Sequence, residues 1–313
     1  MNYSSGTCFS LNMQTLPLTR VAGASLLALL LAACTETKTP NIPAPSPPPT
    51  TPTTPTAPAV ANADPRDYAQ YTELQWADEF NGSGAIDPAK WMFDLGGGGW
   101  GNQEFETYTN STDNVYQSGG NLIIQAQQTP GGYTSGRVLT KNKKDFLFGR
   151  IDVRAKLPQG VGIWPAIWML GSDIDQNNWP KCGEIDIMEL RGQTPTETLT
   201  TMHYADNSGN HQQSGIDHVK LPDGSSFAND FHTYSVVRST NQVRFYLDGQ
   251  LYYTFTSGTA GSNPYPFNNN FFVVLNVAVG GNFLSNPSMA SINSSTTFPK
   301  QMQIDYVRYY QYK

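Results

Sequence analysis

Gly183-Glu184-Ile185-Asp186-Ile187-Met188-Glu189-Leu190 threads three carboxylates through apolar residues at strand-like alternation. Side chains alternate across a β-strand, so Glu184 and Asp186 share one face while Ile185 and Ile187 point to the other. Charged groups are seldom found inside a protein unless they are paired or used, so the triplet asks for a chemical explanation.

Glu189 falls out of phase by one residue. A β-bulge at Ile187-Met188 would return it to the carboxylate face, and bulges of this kind are enriched beside active sites, where they re-aim side chains. Glu184 and Glu189 then stand four strand steps apart, roughly 13 Å between Cα atoms. Side chains leaning inward bring the carboxyl groups to about 5 to 6 Å, the separation used in retaining glycoside hydrolysis. In that chemistry one carboxylate attacks the anomeric carbon, while the other donates a proton to the leaving oxygen and later activates water. Asp186, between them, would hold the nucleophile in place. Three close acids do not all ionise freely, so at least one pKa should rise. The spacing alone also fits a solvated acidic strand or a cation site.

Outward from this stretch the chain keeps the same character. Leu122–Ala126, Gly149–Lys156, Thr233–Arg238, Val243–Leu247, Phe271–Val279 and Ile304–Tyr310 are rich in β-branched and aromatic residues and are separated by Gly, Asn, Pro and Asp. Asp248-Gly249 is a tight-hairpin signal. No long segment keeps a 3.6-residue period, and there is no internal repeat. The pattern predicts an all-β fold, a β-jelly-roll sandwich of two antiparallel sheets.

The chain has 313 residues and a net charge of −6, with no lysine or arginine cluster, which argues against a nucleic-acid partner. A basic residue, Arg20, precedes the apolar run from Ala22 to Ala33, which reads as a secretory signal too short for a membrane span. The run ends in Leu31-Ala32-Ala33-Cys34, which resembles a bacterial lipoprotein cleavage box, making Cys34 the expected lipidation site. An ordinary export signal with an incidental cysteine is the alternative, and Met13 is a candidate start. Residues 35–63 are Pro, Thr, Ala and Ser with little to bury, a spacer of extended geometry. The expected layout is a signal peptide over 1–34, a linker over 35–63 and one folded domain over 64–313. The expected location is exported: held at the cell surface or outer membrane by its lipid alone, or secreted. Cys8 lies in the leader, so Cys182 is alone in the mature body and no disulfide framework is available. A monomer is expected.

Glu184-Ile185-Asp186-Ile187-Met188-Glu189 resembles the active-site signature of glycoside hydrolase family 16 in its bulged form, the form of laminarinases rather than lichenases. The resemblance continues through Trp100-Gly101-Asn102-Gln103-Glu104, Ser135-Gly136-Arg137, Gly162-Ile163-Trp164-Pro165-Ala166-Ile167-Trp168, His203-Tyr204, Asn276 to Asn282 and Ile304-Asp305-Tyr306-Val307-Arg308. It implies a bent jelly roll with a concave substrate cleft, Glu184 as nucleophile, Asp186 as its assistant and Glu189 as acid/base. The implied activity is retaining endo-hydrolysis of a β-1,3-glucan such as laminarin. Another β-glucan or β-galactan hydrolase, a transglycosylase, or a non-catalytic glucan-binding surface protein are the alternatives.

Trp164 and Trp168 share a strand face, where indoles could stack on pyranose rings or simply pack a core. Trp100 and Trp179 lie in loop-like stretches. Asn102, Glu104 and Arg137 match polar positions that line the cleft in laminarinase-like members, and His203 is either a substrate contact or a structural histidine. Asp173, Asp175, Asn177 and Glu184 fall at EF-hand ligand positions, but Asn178 stands where the sharp turn needs Gly. Catalysis should need no cofactor. The resemblance implies a possible structural Ca2+ held by Asp305 with Glu79 and the Gly120 carbonyl; Asp305 reads equally well as a surface acid.

Overall fold

The computed structural model describes residues 64–313; Cys34, the leader and the spacer lie outside the described residues. Two sheets form the body. One has seven strands in the spatial order His211–Val219, Thr198–Ala205, Glu184–Leu190, Ile163–Gly171, Phe271–Val279, Arg137–Leu139 and Met92–Phe93. The other has ten strands, with Gly149–Lys156 between His232–Ser239 and the C-terminal strand Lys300–Tyr312. Neighbours distant in sequence, such as Ile163–Gly171 and Phe271–Val279, pair along their whole length, as the jelly-roll reading requires. One pairing departs from the antiparallel expectation: the short strand Glu106–Tyr108 runs parallel to Gly132–Ser135. The Asp248-Gly249 hairpin has φ of 49° and 76° at its two central residues, the left-handed pair that the Asp-Gly signal anticipates.

The core lies between the sheets. Ile163, Ile167, Met169, Val273, Leu275 and Val277 of the seven-stranded sheet pack in one cluster with Ile151, Val153, Val236, Phe245, Ile304 and Val307 of the ten-stranded one. The other face of the seven-stranded sheet carries Trp164, Ala166 and Trp168, followed on the next strand by the carboxylates.

The bulge falls where the sequence places it. Pairing with Ile163–Gly171 skips between Asp186 and Met188, and pairing with Thr198–Ala205 skips between Asp186 and Glu189. Ile187 and Met188, consecutive residues, both turn into the core, 0% and 1% exposed. Glu184 stands opposite Leu170 and Glu189 opposite Ala166, so the six residues from Glu184 to Glu189 face five on the neighbouring strand. A bulge frees backbone groups from the ladder, and buried ones need other partners. Here the Thr200 hydroxyl donates to the Asp186 carbonyl, and the Tyr252 hydroxyl, reaching from the opposite sheet, donates to the Ile187 carbonyl at 3.3 Å. Gly183 enters the strand at φ +80°, and a Cβ there would lie 2.7 Å from the Pro266 ring, so no other residue fits without movement.

Candidate active site

A cleft of ≈ 940 Å³ runs over the outer face of the seven-stranded sheet. All three carboxylates and all eight expected substrate-binding residues line it: Trp100, Asn102, Glu104, Arg137, Trp164, Trp168, Trp179 and His203. Alternation and the bulge account for the strand residues, whereas Trp100 and Trp179 arrive from loops that fold over the sheet.

At one end the Trp179 indole N–H donates to Glu184 Oε2 at 3.0 Å. Trp179 is 45% exposed, leaving a ring face open to a sugar. His203, directly opposite Glu184 in the ladder, places Nε2 3.0 Å from Asp186 Oδ2 and 3.8 Å from Glu184 Oε1. Its Nδ1 meets His211 Nε2 at 2.7 Å, and the Trp179 ring lies 4.7 Å from that of His211. At the other end the Trp164 indole N–H donates to Glu189 Oε1 at 3.0 Å. Phe283 stacks on Trp164 at 4.5 Å, and the Arg191 guanidinium lies 4.4 Å from the Phe283 ring centre.

Between the ends a hydrogen-bonded chain fixes the floor. Trp168 Nε1 donates to Asn276 Oδ1 at 2.8 Å, Asn276 Nδ2 to the Tyr108 hydroxyl at 3.0 Å, and that hydroxyl to Glu104 Oε2 at 3.2 Å. Asn102 Nδ2 donates to Glu104 Oε1 at 3.0 Å. The Arg137 guanidinium sits 4.7 Å from the Trp100 ring centre and 4.8 Å from that of Trp168. Such a wall offers donors, acceptors and flat apolar faces, which is what a chain of pyranoses presents in return.

Burial raises all three acids. Burial, then the adjacent Asp186 charge, pushes Glu184 up to about 8. Burial pushes Asp186 up to about 8 as well. Glu189 is held well above the ordinary carboxylate range by burial and by the charges of Asp186 and Glu184. Glu184 is the least enclosed of the three, while Asp186 is 4% and Glu189 9% exposed. Carboxyls raised in this way can hold a proton near neutral pH, as a general acid must.

The acids of the EF-hand-like spacing are spent locally: Asp173 accepts from Asn177 at 2.7 Å and Asp175 pairs with Lys141 at 2.7 Å. Two of the side chains expected at a structural calcium are paired with arginines. Glu79 accepts from Arg308 at 2.8 and 2.7 Å, and Asp305 Oδ2 meets Arg154 at 2.5 Å. Cys182 is free and buried, and burial pushes its thiol up to about 12, so it is no nucleophile. Sequence reasoning missed His211, Arg191, Phe283 and Asn276 as cleft residues. Only Asn276 had a signal, since it opens one of the stretches quoted above.

Two carboxyls on one bulged strand, facing an indole-lined cleft, place the molecule among the glycoside hydrolases. Comparison with known proteins narrows that class. The model of the glycosyl hydrolases family 16 matches residues 101–308. The chain is 41% identical to glucan endo-1,3-beta-glucosidase A1 of Niallia circulans over 76% of its own length and 37% of that protein, so it spans little more than a third of that relative. It is 38% identical to a beta-glucanase of Rhodothermus marinus over 81% of this chain and 90% of that one. The laminarinase catalytic domain of Thermotoga maritima superposes with a TM-score of 0.67 at 38% identity, covering 76% of this chain and 98% of that one. The chain belongs to glycosyl hydrolase family 16.

Proposed function

We propose that the chain cleaves internal linkages of a laminarin-type β-1,3-glucan with retention of configuration. The observation that carries this reading is the bulge, which sets Glu184 and Glu189 on one face four neighbouring-strand steps apart. In the first half-reaction Glu184 attacks the anomeric carbon to form a glycosyl ester, and Glu189 gives its proton to the departing glycosidic oxygen. In the second, Glu189, now a carboxylate, removes a proton from water as the water oxygen bonds to the anomeric carbon, and Glu184 leaves as carboxylate. Asp186 and the Trp179 N–H orient Glu184; the Trp164 N–H orients Glu189. The preference for a β-1,3-glucan is supported by the names of the relatives and by the extra residue in the bulged strand.

Incubation with laminarin, lichenan and agarose, followed by NMR of the first-formed reducing ends, tests this. Laminarin should be cut to short oligosaccharides whose new ends appear first as the β-anomer. A first-formed α-anomer breaks the mechanism, and cleavage of agarose in preference to laminarin breaks the substrate reading. Export and a lipid at Cys34 belong to the same proposal; incorporation of labelled fatty acid that survives Cys34→Ser would overturn that part.

A further inference from the structure

At the nucleophile end of the cleft three side chains meet, and one buried carboxylate oxygen among them has no hydrogen-bond partner. His203 Nε2 lies 3.0 Å from Asp186 Oδ2 and 3.8 Å from Glu184 Oε1, and Glu184, Asp186 and His203 each bring a ligand atom within 4.8 Å of the others. The 3.0 Å approach is not aligned as a hydrogen bond, because Asp186 Oδ2 has no hydrogen-bond partner although the residue is 4% exposed. An orphaned buried carboxylate oxygen aimed at an imidazole nitrogen is costly unless something else sits between them. The far nitrogen of the same ring is already engaged, Nδ1 meeting His211 Nε2 at 2.7 Å. With the proton on Nδ1 and donated to His211, the Nε2 lone pair is left facing the carboxylates. That is how metal-bound histidines are held, one nitrogen on the ion and the other fixed by a partner.

We propose that Glu184, Asp186 and His203 form a Zn2+ site that reversibly blocks the cleft. Zinc bonds of about 2.0 to 2.2 Å at tetrahedral angles set ligand atoms roughly 3.3 to 3.5 Å apart. The two separations from His203, 3.0 and 3.8 Å, straddle that value, and the carboxylate oxygens lie within 4.8 Å of each other, so carboxylate rotations could close the set. Imidazole with carboxylates suits zinc and disfavours Ca2+ and Mg2+, which take oxygen ligands. Three protein ligands leave a fourth position, turned to the cleft and open to water. An ion bonded to Glu184 occupies the lone pair that would attack sugar, so zinc and substrate exclude one another. The inhibitory consequence rests on the hydrolase reading; the binding site does not.

Isothermal titration of the full chain with ZnCl2, run beside laminarin hydrolysis at the same zinc concentrations, tests both. One Zn2+ per chain is expected, with inhibition competitive against a laminari-oligosaccharide and reversed by EDTA, and with no competition from Ca2+. His203→Asn should weaken binding by at least about tenfold, as should Glu184→Gln, whose fold is checked by circular dichroism in case the histidine variant does not fold. Unchanged affinity in these variants, as for an ion held at the surface by His218 and Glu197, overturns the proposal, and so does the absence of zinc heat. A chain that hydrolyses laminarin but binds no zinc here leaves the activity reading intact. One that binds zinc through these residues but cleaves no glycan leaves the site and removes the activity.

Discussion

On and beside the ten-stranded sheet, Asp152 meets Arg150 at 3.1 Å, Asp305 meets Arg154 at 2.5 Å, and Glu79 takes two hydrogen bonds from Arg308. Across the molecule, on the seven-stranded sheet, Glu184, Asp186 and Glu189 share one face with no arginine or lysine paired to any of them among the described residues. Both sheets obey the same alternation, and both place acids on the face away from the core. They differ in what completes each charge. The Arg308 hydrogen bonds hold Glu79 below the ordinary carboxylate range, although burial still raises Asp152 beside Arg150; burial holds all three cleft acids above it, with repulsion adding at Glu184 and Glu189. An acid paired with arginine fixes structure; buried acids gathered without an arginine or lysine keep protons available for chemistry.

Removing a cleft acid should break this contrast most visibly. Glu184→Gln is expected to lower kcat on laminarin by about 10^4-fold or more, and Glu189→Gln by roughly 10^2- to 10^4-fold. On an aryl glycoside whose leaving group needs no proton, Glu189→Gln should lose much less in the glycosylation step than Glu184→Gln, a difference that burst kinetics reads directly. Equal losses on both substrates would mean the roles are misassigned.

The same substitutions should stabilise the fold at alkaline pH. A carboxyl with a raised native pKa holds its proton longer than in the unfolded chain, so wild-type stability falls as pH rises from about 4.5, its unfolded value, towards the native value of about 8 for Glu184. Glu184→Gln and Glu189→Gln remove part of that slope. Their melting temperatures at pH 8 should exceed wild type by about 3 to 6 °C and converge with it near pH 4. A melting curve with no such crossing would show the acids to be solvated.

The bulge supports sharpen the comparison from the backbone side. Thr200→Val leaves the Asp186 carbonyl without its hydroxyl partner, a buried loss of about 1 to 3 kcal/mol. Because that carbonyl belongs to the bulge, kcat should fall with little change in KM, as seen in a Michaelis series beside a denaturant melt. Loss of stability with unchanged kcat would separate the bulge from the chemistry.

The smallest effect belongs to the other sheet. Glu79→Gln removes one partner of a surface pair, worth about 0 to 1 kcal/mol. Its sign is opposite to that of the cleft acids. A depressed native pKa contributes stability present above the unfolded value of about 4.5 and lost on acidification, so the variant should differ from wild type at pH 7 and match it in strong acid. Activity should not change.

Much of this was legible in the residues. Ile185 and Ile187 against Glu184 and Asp186 announced a strand with two faces, and the misphased Glu189 announced the bulge. Asp248-Gly249 announced its hairpin. The parallel pairing of Glu106–Tyr108 was not legible, because a three-residue edge strand has no pattern long enough to state a direction. His211 and Phe283 were not legible either: each reaches the cleft from a segment whose own sequence carries no catalytic signal, and only ladder register and loop path bring it there.

What the sequence determined by itself is therefore local: periodicity, the extra residue, the kinds of side chain available to react, and through several ordered motifs the family. Tertiary structure alone decided which charges stand together and which are neutralised. Burial, the Asp186 charge beside Glu184 and the indole N–H groups from Trp164 and Trp179 are all long-range facts, and a pKa depends on everything within a few ångströms, whatever its distance along the chain.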